Sequence, residues 1–224
     1  MKSQAPILLL STSYLPPVEY MSWLTVAEKA EIEIHETYPK QTWRNRCSIL
    51  SANGPLALSI PVERPEGNHT PTCLIRISPH LPWQKQHWRS IETAYSKSAF
   101  FLYYQDFFEP FYSSAPPQHL IEWNQSLLIQ LFRAIGMNPV IKNTIRFEKE
   151  ANGRTDLRNS ISPKEKTIQK LNQDIFPEYF QPFSDRFGFA RNQSVIDLLF
   201  NLGPDTLPYL QQCGMKLLDQ FSEG

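Results

Sequence analysis

Between His35 and Arg46 the chain reads His-Glu-Thr-Tyr-Pro-Lys-Gln-Thr-Trp-Arg-Asn-Arg. Charge, hydrogen-bonding capacity and aromatic surface are more closely mixed here than anywhere else in the sequence. Lys40, Arg44 and Arg46 supply cations. Gln41 and Asn45 supply amides that can both donate and accept, and Tyr38 and Trp43 supply flat apolar surface with a polar edge. On a strand, Arg44 and Arg46 would point the same way, and two guanidinium forks side by side suit a carboxylate or a phosphate. The other reading of the same pair is structural, with the arginines neutralising Glu33, Glu36 or Glu63.

Histidines offer the acid–base chemistry. His35 opens the motif. His80, His87 and Arg89 gather around a helix that starts at Pro82-Trp83, where Gln84, His87 and Trp88 are neighbours at helical spacing. A histidine in a first helical turn is disfavoured as a cation, which suits a neutral imidazole used as a general base or as a hydrogen-bond partner. A half-buried ring tied to a backbone carbonyl fits the residue types equally well. The candidate site is therefore His35 and His87 as catalytic groups meeting across one pocket. Tyr14, Glu19, Tyr38, Lys40, Gln41, Trp43, Arg44, Asn45, Arg46 and Trp88 would contact the ligand. The partner is a small anionic or sugar-containing molecule. The five histidines are scattered without an HxxxH pair, so no metal site is expected, and no cofactor. The glycine-rich, P-loop and nucleophile-elbow motifs are absent, which argues against dinucleotide enzymes, P-loop NTPases and serine hydrolases.

The elements that must hold these residues begin with Ile7–Leu10, an apolar run suited to a buried strand. A polar loop, Ser11 to Pro17, leads into a helix from Val18 to about Ala30. Pro17 suits its start, and Glu19 sits near its positive end. Strand, loop and helix N-terminus can cradle phosphates, or the prolines can simply brace the connection. Glu31 to Glu36 alternates like a strand with one wet face, Ile32 and Ile34 opposite Glu33 and His35. Arg46–Leu50, Asn53-Gly54 and Leu56–Glu63 read as a β-hairpin, and Leu74–Ser78 as a further strand. Helices follow: Pro82 to Ser96, an aromatic-rich stretch from Ala99 to Phe111 that mostly feeds the core, and an amphipathic helix Leu120–Ile135 stopped by Gly136. Residues 142–174 are charged and polar and read as a mobile lid, an insertion or a solvated linker. Ser194 is placed to N-cap a helix at Val195–Asn201 that Gly203-Pro204 ends.

The fold class is α/β, with a parallel-containing central sheet, a β-hairpin extension and a mainly helical C-terminal half. One domain spans 1–224, its sheet-forming part at 1–80 and its helical part at 81–224. Lysine plus arginine equals aspartate plus glutamate at 22 each. That balance gives no reason to expect nucleic-acid binding. Nineteen prolines against eight glycines point to loops fixed by proline. Three cysteines without a CxxC pair read as reduced thiols of a cytoplasmic protein, and no apolar run is long enough to span a bilayer. Composition says nothing about oligomeric state.

Several segments together resemble the WbqC-like family: Tyr14-Leu15-Pro16-Pro17-Val18-Glu19-Tyr20, His35 through Cys47, Asn53-Gly54, Ser59-Ile60-Pro61-Val62, His87-Trp88-Arg89-Ser90-Ile91 with Ala94-Tyr95, and Ser194 through Pro204. The likeness lapses between Lys142 and Tyr179. The resemblance implies a soluble bacterial protein. For some members it implies a place in O-antigen or other surface-polysaccharide assembly, with a suggested role in glycine or related amino-acyl transfer. It carries no accepted catalytic assignment. Two functions follow as expectations. One is group transfer to a sugar or sugar nucleotide, with Lys40, Arg44 and Arg46 on an anionic donor and His35 or His87 as base. The other is non-catalytic binding of an anionic sugar or a biosynthetic partner in the same pocket. A nucleotidylyltransferase-like site at Tyr14–Tyr20 ranks last, because the histidine pair such sites use is missing.

Overall fold

The computed structural model describes residues 5–164 and 171–222. Its centre is a four-stranded parallel sheet. β1 (Ile7–Ser11) and β2 (Lys29–Glu33) pair directly and are joined through α1 (Val18–Val26). β7 (Ile141–Asn143) adds beside β2, and β8 (Thr155–Asp156) adds on the far side of β1, giving the order β7-β2-β1-β8. The hairpin is a separate antiparallel pair, β3 (Arg46–Ser51) and β4 (Gly54–Ser59). A second small pair joins β5 (Val62–Glu63) to β6 (Arg76–Ile77). Helices α2 (Trp83–Tyr95), α3 (Phe101–Ser113), α4 (Leu120–Ile135), α5 (Ser184–Phe187), α6 (Val195–Leu202) and α7 (Thr206–Ser222) make up most of the C-terminal half.

Period-two alternation decides which sheet face is dry. Leu8, Leu10, Ala30 and Ile32 point into the main apolar core together with Met21 and Leu24 of α1. The opposite face carries Lys29, Glu31 and Glu33 along β2. Glu31 pairs with Arg154 at 2.6 Å and with Lys142 at 3.2 Å. The wet face expected of β2 is thus polar but largely covered, and Glu33 has no exposed surface at all.

The polar segment after Lys142 is built into this architecture. Two short strands come from residues 141–143 and 155–156, and Leu157 and Ile161 enter the core. Strands of two or three residues, mostly polar, carry no readable alternation. Residues 165–170 of that segment lie outside the described residues. The strand expected at Leu74–Ser78 shrinks to Arg76–Ile77, because Thr72–Leu74 forms a 3₁₀ turn. Gly136 ends α4 in the left-handed region at φ 79°, as glycine allows. Ser194 does not cap its helix with its side chain. Its hydroxyl instead donates to the Leu15 carbonyl at 2.8 Å, tying α6 to the β1–α1 loop.

α1 and α7 cross closely at Gly214. A Cβ there would stand 2.5 Å from the Ser22 carbonyl oxygen, so any larger residue would push the helices apart.

Candidate functional site

Four segments leave the carboxyl edge of the parallel sheet: Ser11–Pro17 after β1, Ile34–Asn45 after β2, Thr144 onward after β7 and Leu157 onward after β8. This is the edge at which open α/β sheets bind ligands. The β1–α1 loop is buried throughout. Leu15 holds a positive φ of 40°, unusual for a γ-branched residue, and Ser194 and the Val195 N–H fasten that turn through the Leu15 and Pro16 carbonyls.

Tyr14 links three of the motifs. Its backbone N–H donates to the Trp43 carbonyl at 2.9 Å. Its hydroxyl lies 2.9 Å from Nδ1 of His87 and 2.8 Å from the Tyr112 hydroxyl. His87 is buried among Trp83, Tyr14 and neighbouring rings, and burial pushes its pKa down to about 4 against a hydrogen bond with the Ser59 backbone. In the tautomer with the proton on Nε2, Nδ1 is the acceptor and Tyr14 donates. The imidazole is neutral, as its environment dictates, and is sealed from solvent at 5% exposure. Trp88 is half-buried, stacked between Tyr112 and Phe101 with centroids at 5.5 and 6.3 Å.

A closed charge cluster lies beyond β2. Arg44 points both Nε (2.8 Å) and Nη2 (2.5 Å) at Oε1 of Glu36. Burial pushes the Glu36 carboxyl up, and the Arg44 charge pulls against it. Oε1 of Glu33 accepts from the His35 N–H at 2.7 Å and from the Thr144 hydroxyl at 3.1 Å. Its other oxygen faces Arg158 at 3.9 Å. Arg158 grips Asp156 with two nitrogens, at 2.9 and 2.6 Å, and reaches the carbonyls of Glu148 and Lys149. Arg44 is thus spent inside the protein, in the structural role that its spacing from Glu36 also allowed.

His35 stands at the margin of this cluster, half-buried, with Nε2 3.1 Å from the Thr144 carbonyl. No hydrogen bond or ring contact joins it to His87: one ring is fastened to the loop after β7, the other to Tyr14. Lys40 and Gln41 lie on an exposed turn, with Gln41 at φ 57°. Trp43 turns inward, and the Asn45 amide donates to the Ile60 carbonyl at 2.8 Å. Tyr38 is buried, and the charges of Arg44, Arg64 and Arg46 all act on its phenol. Glu19 is elsewhere, exchanging two hydrogen bonds with Asn192, at 2.8 and 3.0 Å. Burial pushes its carboxyl up to about 7, and the Asn192 amide opposes the shift.

Sequence reading missed Arg64, Arg158 and Asp197. Asp197 has no exposed surface and accepts from Tyr179, Gln181 and Tyr95 at 2.6, 2.8 and 2.8 Å. An aspartate inside an otherwise apolar helix was the available signal. Arg158 follows a strand too short to read, and Arg64 sits in a proline loop with no local pattern. Among the described residues no group of three or more His, Cys, Asp or Glu is placed to hold a metal ion.

Fold and site together define an α/β protein whose charged and hydrogen-bonding side chains collect beyond the carboxyl edge of a small parallel sheet. The chain belongs to the WbqC-like protein family, whose model matches residues 12–169. That match runs through the strands β7 and β8, where the motif likeness lapses, and stops before the Ser194–Pro204 segment. The chain is also similar to uncharacterized protein Rv1507c of Mycobacterium tuberculosis, 24% identical over 231 residues that cover 92% of this chain and 98% of that one. No solved structure matches. No helix among the described residues is long and apolar enough to cross a membrane.

Proposed function

We propose that this protein is a group-transfer enzyme that decorates a sugar or sugar nucleotide in bacterial surface-polysaccharide assembly, with an amino-acyl unit such as glycine as the transferred group. Family membership supports the biological setting. The observation that carries the chemistry is the state of His35. Its Nε2 lies against the Thr144 carbonyl, an acceptor only, so in the neutral ring the proton sits on Nε2 and the lone pair on Nδ1. Among the described residues Nδ1 has no partner, and the ring is partly open to solvent. In this reading His35 Nδ1 takes the proton from the acceptor hydroxyl or amine as it attacks the acyl carbon of an activated amino-acyl ester, and the ester's acyl–oxygen bond breaks, its oxygen leaving with the bonding electrons. Lys40, Gln41 and Arg46 hold the donor's polar and anionic parts, and orientation and electrostatics supply most of the rate.

A second reading, non-catalytic binding of an anionic sugar, is favoured by the sealed state of His87, which removes one of the two candidate bases. The two readings separate in one experiment. Purified protein is offered sugar nucleotides with activated amino-acyl esters, and product is followed by mass spectrometry. The enzyme reading expects His35→Ala to lose roughly a hundredfold or more in turnover with its circular dichroism unchanged. Ligand binding that is equal in wild type and His35→Ala, with no product from either, supports the binder.

A further inference from the structure

Two arginines near the motif have no counter-charge. Among the described residues, neither Arg46 nor Arg64 makes an ion pair or a side-chain hydrogen bond, although arginines in this chain pair readily elsewhere. Nε of Arg46 is buried without a partner, and so is the hydroxyl of Tyr38, a residue only 4% exposed. A buried donor left unpaired is costly, because it has given up its water without gaining a partner. The Arg46 charge acts on the Tyr38 phenol, so the two donors share one neighbourhood, and a single acceptor group could satisfy both. The Arg64 guanidinium lies over the Tyr38 ring, 5.1 Å from its centroid. Burial raises the Tyr38 phenol to about 12, so it keeps its proton and remains a donor at neutral pH.

The backbone holds the three residues separately. The Tyr38 N–H donates to the Thr70 carbonyl, and Thr37 bridges to Pro71. Arg46 opens β3 and pairs across to Ser59. Arg64 follows β5 directly and starts a tight turn closed by the Gly67 N–H on its carbonyl, with Gly67 at φ 61°. Glu36 is engaged with Arg44, Glu63 lies 3.7 Å from His80, and Glu66 of the same turn is exposed. Arg46 and Arg64 are each half-buried, neither sealed in the core as Arg44 is.

We infer that Tyr38, Arg46 and Arg64 form a binding site for a phosphate group carried by a small-molecule ligand. Charge selects phosphate over carboxylate. Two unpaired guanidinium groups match a phosphate monoester, which carries about −1.5 to −2 at neutral pH, better than the single charge of a carboxylate. As the pocket for an anionic transfer donor, the site rests on the group-transfer reading. As a phosphate site, it is tested without turnover.

The test titrates inorganic phosphate, and acetate at matched ionic strength, into wild type, Tyr38→Phe, Arg46→Gln, Arg64→Gln and Arg76→Gln, by calorimetry and by thermal midpoint. Arg76 is an exposed arginine on β6, and its loss controls for charge alone. Phosphate should raise the wild-type midpoint more than acetate does. Each of the three site variants should weaken phosphate binding about tenfold or more, while Arg76→Gln does not. Tyr38→Phe guards against misfolding, since it deletes a hydroxyl with no partner and leaves the unliganded protein as stable as before. Equal effects of phosphate and acetate on wild type overturn the inference, as does unchanged phosphate binding in the site variants. A phosphate effect that obeys this pattern without any transfer product keeps the site and removes the enzyme. Transfer activity with a phosphate effect indifferent to the three variants does the reverse.

Discussion

Arg44 and Arg46 are two residues apart and have opposite environments. Arg44 is 2% exposed, with two nitrogens on one carboxylate oxygen of Glu36. Arg46 is half-buried, its Nε enclosed without a partner, beside a tyrosine in the same condition. One arginine completes the interior, and the other is the one we assign to an anion. Proximity in sequence made them look alike. The difference lies in the partner each backbone segment brings, which for Arg44 is a glutamate eight residues upstream and for Arg46 is no acid at all.

The sharpest way to break this comparison is to remove each in turn. Arg44→Ala leaves Glu36 buried without its cation, which should destabilise the protein by about 3–5 kcal/mol. Arg46→Gln removes no ion pair and should stay within about 0.5 kcal/mol of wild type. Chemical denaturation of both variants decides the matter; equal losses would mean that Arg46 is a structural arginine too.

Glu19 sharpens the contrast, because it is a buried carboxyl met by an amide instead of a guanidinium. Its pKa is near 7 in the folded chain, against an ordinary 4.5. The native state therefore keeps a proton that the unfolded chain gives up, and stability present below pH 4.5 is lost as pH rises towards 7. Glu19→Gln should remove that slope, with wild type losing up to about 3 kcal/mol relative to the variant across the window. Parallel stability curves for the two proteins from pH 4.5 to 7.5 would show that Glu19 is ionised when folded. Tyr38→Phe is the smallest effect. Deleting an unpaired buried hydroxyl should change unliganded stability by about zero, or raise it by a few tenths of a kcal/mol. A loss of a full kcal/mol would reveal a partner for that hydroxyl.

Much of this was legible in the residues. The opening β1–α1–β2 unit, the hairpin and α4 follow from apolar runs, turn chemistry and helical spacing, all strong over five or more residues. The pairing of Arg44 with Glu36 was one of two readings the sequence allowed. The choice needed the strand to begin at Arg46, because Arg44 belongs to the preceding turn and the rule that alternate residues share a face does not reach it. Arg64 and Arg158 were invisible because their positions depend on β5 and β8, strands of two residues each whose existence is a tertiary fact.

The place of β8 has a consequence for how the chain is made. β1 lies inside the sheet, and its second neighbour, Thr155–Asp156, is synthesised almost 150 residues later. Until then the Leu8-Leu9-Leu10 stretch presents a row of unpaired amides and carbonyls on one side, an edge that another chain can template on. A nascent or truncated chain ending short of Thr155 lacks the strand that covers this edge. The sheet closes late, and the charged segment that delivers β8 is also what shields the growing protein from its own most adhesive strand.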